Sequence, residues 1–324
     1  MNMLTRRIAC RFAAVLLALV CTAGLAESSR AQKLLTLGAA PLGGTYYPTG
    51  IALADILIRN TPEVDIRVEV TGGTVENPVL MQQGELDLGL ANADMAYFAY
   101  NGMPPFKTPF SDLRTMFVGL APGVVQYAVL DSSGITSIKD LAGKRIAVGP
   151  HGNSTGLLFA SILKFYGMDV NKVTRSFISF ADGVSELVDG HVDMAIVQAG
   201  LPAPALQEAF TGHKKIRILS FPEKDRETFL RENPYYIPVS ISKSTYYLMD
   251  ADVTTLATQN MVLAHASLPN DLVYAMTKAV FEHLPELYAA HPSLRSVTLA
   301  HAAESPIPLH EGALRYFREM NVLP

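Results

Sequence analysis

The chain predicts an α/β fold in two domains, with parallel or mixed sheets flanked by helices. Three features point there. One turn design recurs three times between positions 34 and 100, each a short apolar strand, a turn rich in Gly, Thr, Asn or Asp, and a helix start. Strand-then-helix alternation continues to about position 219, which implies sheets covered on both faces. At 324 residues the chain is long enough for two such domains.

In the first repeat, residues 34–38 form a strand, Gly43-Gly44-Thr45-Tyr46-Tyr47-Pro48 the turn, and 51–58 the helical stretch. In the second, the strand 66–70 leads through Gly72-Gly73-Thr74-Val75-Glu76-Asn77 into 79–81. In the third, the strand 86–90 leads through Asn92-Ala93-Asp94 into 95–100. Further on, the pattern predicts strands over 124–130, 145–148, 192–197, 216–219 and 253–266. Helices are expected over 137–141, 157–166, 184–188, 202–210, 272–284 and 311–319, with Gly167 a natural helix end. Helix N-termini carry unpaired N–H groups and the positive end of the helix dipole. Three of them at one sheet edge predict a pocket for a small anion.

Composition narrows the function classes. Arg6, Arg7 and Arg11 precede an apolar run over 12–20 and a small-residue cleavage site at Gly24-Leu25-Ala26, which reads as a signal peptide over 1–26 and a periplasmic destination. Thr5-Arg6-Arg7 hints only weakly at twin-arginine export, and Val20 before Cys21 argues against a lipoprotein. Both cysteines, Cys10 and Cys21, fall inside that leader, so the mature chain is expected to lack disulfides, thiolate metal sites and a cysteine nucleophile. The overall charge of −4 becomes −7 once three arginines leave with the leader, which disfavours nucleic acid and anionic membranes as partners. His213-Lys214-Lys215-Ile216-Arg217 is read as a solvated basic loop leading into a strand. The eight His show no HExxH or Cys/His spacing, so no metal and no cofactor is expected.

A series of motifs carries a family resemblance. GGTYYPTG (43–50), TGGTVENPVLMQQGELDLGLANADMAYFAYNG (71–102), DLAGKRIAVGPHGNSTG (140–156), DGHVDMAIVQAGLP (189–202) and PLHEGALRYFRE (308–319) occur in order. Together they resemble the TAXI-type solute receptors of tripartite ATP-independent periplasmic (TRAP) transporters. One departure stands out: Gly152-Asn153-Ser154-Thr155 replaces the Gly-Ser-Gly-Thr usual in that family. The resemblance implies a monomeric periplasmic-binding-protein fold of class II type. It also implies a discontinuous first lobe over 33–122 and 240–324, a second lobe over 131–235, and hinge crossings near 123–130 and 236–240. It further implies a ligand cleft between the two lobes, a glutamate-like or related small carboxylic acid as ligand, and TRAP membrane permease subunits as partners.

The expected ligand-binding residues are Gly44, Thr45, Tyr46, Asn77, Asn92, Asp94, Ser154, Thr155, Gln198 and Gly200. Paired glycines at 43 and 44 let backbone approach a ligand, and Thr45 either caps the helix or bonds the ligand. Tyr46 and Tyr47 cannot both face the pocket, so one belongs to the core. Thr74 is a natural N-cap; Asn77 offers both donor and acceptor to a ligand, and Glu76 is expected in solvent. Asp94 is either a helix cap or a pocket carboxylate. In the pocket it would select an amino acid through its ammonium; outside, a plain carboxylic acid. Ser154 and Thr155 supply hydroxyls, and Gln198 and Gly200 stand at a strand end.

Gly152-Asn153-Ser154-Thr155-Gly156 also matches the G-x-S-x-G hydrolase elbow, and Asp193 or Asp271 with His310 would complete a serine triad. Pro150 and His151 lengthen the loop, and no HGGG-type oxyanion segment is present, so a secreted serine hydrolase is the minor alternative. A periplasmic sensor serving a signalling kinase is a second alternative. The favoured reading is a receptor, not an enzyme. His310-Glu311-Gly312 is taken as an anchor for the last helix.

Overall fold

Strands covered by helices on both sides need apolar residues on both faces, and the central strands of this chain have them. The computed structural model describes residues 32–233 and 236–323; the expected leader, with Cys10 and Cys21, lies outside the described residues. In chain order the elements are β1 Lys33–Gly38, α1 Tyr46–Asn60, β2 Val64–Glu69, α2 Glu76–Gln82, β3 Leu88–Asn92, α3 Ala93–Asn101 and β4 Leu113–Leu130. Then come β5 Arg145–Ala147, α4 Thr155–Phe165, β6 Thr174–Ser176, α5 Phe180–Asp189, β7 Met194–Ala199, α6 Pro204–Phe210 and β8 Ile216–Leu219. The remainder is α7 Glu223–Glu232, β9 Tyr236–Ile241, β10 Val253–His265, α8 Asn270–Glu282, α9 Leu284–Ala290 and α10 Glu311–Glu319.

The strands form one sheet in the order β2-β1-β3-β10-β4-β7-β5-β6, with β8 on β4 and β9 on β10. Parallel pairing holds toward the ends, β1 with β3 and β5 with β6 and β7. The centre is antiparallel, because β10 runs against β3, β4 and β9, and β4 against β7 and β8. The sheet is therefore mixed. β4 extends over 18 residues, eleven of them before the predicted 124–130. Gly119, Pro122 and Gly123 obscure the pattern in that first part. Pro122 is tolerated because the β4–β10 register slips there, between Thr258 and Asn260, so its missing N–H falls at a bulge.

Four apolar clusters fill the fold, one on each face of each half of the sheet. Side chains alternate between them as a strand's period of two requires. On β3, Leu88 and Leu90 face one cluster and Ala91 the other. On β7, Ala195, Val197 and Ala199 face one while Met194 and Ile196 face the other. The second half of β4 divides likewise, Val124 and Ala128 against Val125, Tyr127 and Val129. Ile241, Tyr246, Val253 and Ala257 pack into the β5–β7 half. Helix α7 escapes the periodicity reading because only Phe229 of its ten residues is buried. The expected helix over 137–141 is a short 3-10 turn, and α6 starts at Pro204, with Pro202 outside it.

Asn77 lies at the centre of the β1–β3 half and is 0% exposed. Its amide donates to the carbonyls of Gly38, Ala39 and Leu90 at 3.1, 2.9 and 2.7 Å, and its Oδ1 accepts from the Thr71 hydroxyl at 2.6 Å. Every polar atom of this side chain is thereby used in tying α2 to the ends of β1 and β3 and to the turn after β2. The expectation that Asn77 holds ligand is corrected: it is an internal clamp. Asn77→Ala strands these buried partners and is expected to lower unfolding free energy by about 2–4 kcal/mol. Urea denaturation should show a reduced midpoint with unchanged slope, and ligand affinity of the folded fraction should stay the same.

Candidate functional site

The turns after β1, β2 and β3 come together as predicted, and the turns after β5 and β7 close over them from the opposite half. The walls touch through direct hydrogen bonds. The backbone N–H groups of Val75 and Glu76 both donate to the Gly152 carbonyl, at 2.8 and 2.9 Å. The Gly200 N–H donates to Thr45 Oγ1 at 3.1 Å. Thr74 Oγ1 donates to Ser154 Oγ at 3.1 Å and accepts from the Ser154 N–H at 3.2 Å. Asn92 Nδ2 donates to Ser154 Oγ at 3.0 Å, and the Tyr46 hydroxyl donates to Asn92 Oδ1 at 2.9 Å.

Enclosed by these contacts is a cavity of about 20 Å³, bounded by Gly44, Thr45, Tyr46, Thr74, Asn92 and Asn153, with Gly123, Phe180, Gln198 and Asn260 completing it. That volume has room for a water molecule, so the structure shows a tightly shut cleft. Among the described residues no charged side chain lines it. Its polar groups are amides and hydroxyls.

Of the ten expected residues, Gly44, Thr45, Tyr46, Asn92 and Gln198 line the cavity. Ser154, Thr155 and Gly200 form the layer that holds those side chains. Thr155 Oγ1 lies 2.7 Å from Asn153 Oδ1 and 3.1 Å from Gln198 Oε1, and Gln198 Nε2 donates to Thr258 Oγ1 at 3.2 Å. Gly200 is glycine because a Cβ would collide with Ser293 and Ala121, so its backbone approach serves packing, not ligand contact. Tyr46 faces the cavity while Tyr47 packs on the core. Burial, and secondarily the Asp94 charge, holds the Tyr46 hydroxyl well above its ordinary pKa, so it acts as a neutral donor.

Four expectations need correction. Neither Thr45 nor Thr74 caps its helix; both spend their hydroxyls across the cleft. Glu76 is half-buried at the seam, where it accepts the Gly72 N–H. Asp94 does not reach the cavity: it is 4% exposed and turns toward a separate groove. The three-helix anion pocket is also reduced. The α2 terminus is capped by Gly152, and α3 carries Asp94 in its first turn. The helix starts around the cleft without a first-turn acid are α1 and, from the opposite wall, α4 and α6; at α4 the Ser154 and Thr155 N–H groups are taken by Thr74 and Asn153.

The serine triad is not assembled. Ser154 Oγ accepts from Thr74 and Asn92, whereas Asp193 pairs with Arg145 at 3.1 Å and Asp271 with Arg315 at 2.7 Å. His310 caps α10 by accepting the Gly312 N–H at 3.2 Å, which agrees with the anchoring role expected for that segment.

Asn260 is the residue that pattern reading passed over. It is 1% exposed, its Nδ2 donates to the Ala121 carbonyl at the β4 bulge, and its Oδ1 has no partner among the described residues. The residue lines the cavity, while this oxygen is itself buried and is an acceptor without a donor. The clue was in the chain: a lone amide in the middle of an otherwise apolar strand. Phe180 and Gly123 carried no such clue.

The architecture is that of the two-lobe periplasmic binding proteins. The alkanesulfonate-binding protein SsuA from Xanthomonas axonopodis pv. citri, solved bound to MOPS, superposes with a TM-score of 0.51 at 17% identity over 91% of this chain and 96% of the other. PhnD1 from Prochlorococcus marinus (MIT 9301), solved with methylphosphonate, gives 0.53 at 12% identity over 90% and 99%. A structure described as a periplasmic transporter gives 0.54 at 15% over 91% and 94%. A model of the NMT1-like family matches residues 37–320, and the chain belongs to that family. Among the described residues no helix is long and apolar enough to cross a membrane.

Gly72 provides a direct handle on closure. A Cβ there would overlap the His151 carbonyl oxygen of the opposite wall. Gly72→Ala is expected to hold the cleft open, raising the radius of gyration in small-angle scattering with a melting temperature changed by only a few degrees. Asp94 allows a second test. Burial pushes its pKa up to about 6, against about 3.9 in the unfolded chain. Between those values the folded state binds more protons, so stability falls as pH rises through that window and the cost is fully present above it. Asp94→Asn should therefore be more stable than the parent at pH 7.5, by up to about 3 kcal/mol, and the gain should vanish near pH 4. Thermal melts across pH 4–8 check this.

Proposed function

We propose that this chain is an extracytoplasmic solute receptor that shuts its cleft on the head group of a small organic carboxylic acid and delivers it to a TRAP-type membrane permease. The observation that carries this reading is the uncharged cavity between the two walls, which the α1 N-terminus borders with Gly44, Thr45 and Tyr46 and which the amides of Asn92, Asn153 and Gln198 also line. Backbone N–H groups and hydroxyls at helix starts stabilise an anion without a lysine or arginine. Each neutral hydrogen bond contributes about 1 kcal/mol net, so six to eight contacts support binding near the micromolar range. Methylphosphonate and MOPS in two neighbours of the same fold are anions too, which supports an anionic class of ligand. The TAXI-like motifs favour a carboxylate and a TRAP permease. Asp94 lies outside the cavity, so a plain organic acid fits better than an amino acid needing an ammonium partner.

In this reading β4 and β10 are the crossings between lobes, at about 123 and 258, and opening there admits ligand. The ligand touches both walls and stabilises the shut state by its differential affinity for it. The leader over 1–26 directs the chain to the periplasm.

Thermal shift on residues 27–324, refolded to remove carried-over ligand, tests the reading with succinate, 2-oxoglutarate, glutamate, methylphosphonate and ethanesulfonate. At a hundred times its dissociation constant a ligand adds about 2.7 kcal/mol, which a melt resolves. Succinate or 2-oxoglutarate should stabilise more than glutamate does. Tyr46→Phe, which removes a cavity-lining donor hydroxyl, should weaken anion binding about tenfold while Asn77→Ala leaves affinity intact. Response to the phosphonate or sulfonate alone would keep the anion cleft and reject the carboxylate; no response to any acid would reject both.

A further inference from the structure

The basic run at 213–217 leads into β8, as its sequence reading expects, but it does not stand alone. Lys214 and Lys215 line a concavity of about 750 Å³ together with Lys243, Tyr247 and Leu248 of the β9–β10 loop. Asp250 is the one carboxylate lining it among the described residues, and Lys215 holds it at 2.7 Å. Lys214 Nζ donates to the Val188 carbonyl, an uncharged partner. Lys243 meets no carboxylate with its side chain among the described residues; only its backbone N–H is held, by Asp252 at 2.8 Å. Two ammonium charges without a counter-charge thus share this basin, on a chain whose overall charge is −4.

The loop that carries Tyr247 and Leu248 is anchored from below. Buried Tyr246 stacks on Phe210 at 4.8 Å, its hydroxyl oxygen accepts the Ala203 N–H at 2.8 Å, and its hydroxyl donates to Gln126 Oε1. With Tyr246 fixed inward, the next two side chains project outward, 65% and 68% exposed. Leu248 also has a φ of 54°, a left-handed conformation that costs a residue with a Cβ free energy. Apolar side chains held in solvent at a backbone cost mark a surface organised for contact.

The basin also continues in both directions. Gly212 and Lys214 border a hollow of about 280 Å³ between α5 and α6, and Ile216, Met249 and Asp250 border another of about 250 Å³ beside β8. Joined hollows make a furrow, which suits an extended chain better than a compact solute. Glu208 lies in one end hollow, and Arg217 with Asp252 in the other, so the positive excess is confined to the middle.

We propose that this furrow is a docking surface for an acidic segment of another protein, whose carboxylates meet Lys214 and Lys243 and whose apolar side chains pack on Tyr247 and Leu248. Opposite charge across the contact selects the partner and speeds its encounter. The furrow shares no lining residue with the cleft, so docking there is independent of what the cleft holds.

Fluorescence anisotropy of residues 27–324 tests this with a labelled peptide of repeated Glu-Glu-Leu-Glu-Phe units and a counterpart carrying lysine for every glutamate. The acidic peptide should bind and its lysine counterpart should not. Raising salt from low to physiological strength should weaken binding about tenfold. Lys243→Glu should cost about tenfold in affinity. Leu248→Gly should cost about fivefold, while its melting temperature stays within a few degrees of the parent because glycine accepts a φ of 54°. A melt of each variant shows whether lost binding reflects unfolding. No binding of the acidic peptide, equal binding of its lysine counterpart, or undiminished binding by both variants would each overturn the proposal. Displacement of the peptide by equimolar glutarate would make the basin a small-anion site instead. Self-association of the parent, abolished by Leu248→Gly in sedimentation, would assign the surface to a second copy; either result also overturns the proposal.

Discussion

Where β4 and β10 pass through the centre of the sheet, their register slips, and the Asn260 side chain bridges the slip by donating to the Ala121 carbonyl. An antiparallel pair cannot carry an extra residue without leaving ladder groups unpaired. A buried side-chain amide in the partner strand is one way to satisfy such a group. The same bulge brings Gly123 close to Thr258 and Asn260, and Gln198 donates to Thr258 from the next strand. The cleft floor is thus set by strands common to both halves of the molecule. The helix turns that form its walls are placed relative to that floor.

Charge separation is the second organising constraint. The cleft is polar but neutral, and the nearest buried carboxylate, Asp94, is turned away from it on the adjacent helix turn. Cleft-lining Asn92 is followed directly by Ala93 and Asp94, which line the groove. A short strand-to-helix turn therefore presents a neutral amide to one cavity and an anion to another. Tyr46 stands between, neutral because burial and the nearby Asp94 charge both oppose loss of its proton.

Closure rests on backbone as much as on side chains. Val75 and Glu76 donate to Gly152, and Gly200 donates to Thr45, across walls brought together from distant parts of the chain. The positions of closest approach are glycines because any Cβ would overlap the opposing wall, as at Gly43 against Ala181 and Gly72 against His151. Positive φ adds a second reason at Gly43, where it is 91°. The paired glycines in the motifs are better explained by the fit of one wall against the other than by backbone contact with ligand.

Much of this was legible in the chain itself. Periodicity located most strands and helices, and the turn residues marked where helices begin and where a site would gather. Local sequence could not decide which face each turn residue would show. Asn77 and Asn92 look alike as turn amides, yet one is consumed by three carbonyls while the other lines the cleft. Thr74 reads as a cap but bonds Ser154, 80 positions away, and Thr45 accepts from Gly200, 155 positions away. Asn260 reaches Ala121 over 139 positions. The sequence by itself determined which segments become strands and helices, because that depends on neighbours within a few residues. Only the tertiary structure decided which polar groups remain unpaired, because their partners arrive from the far ends of the chain.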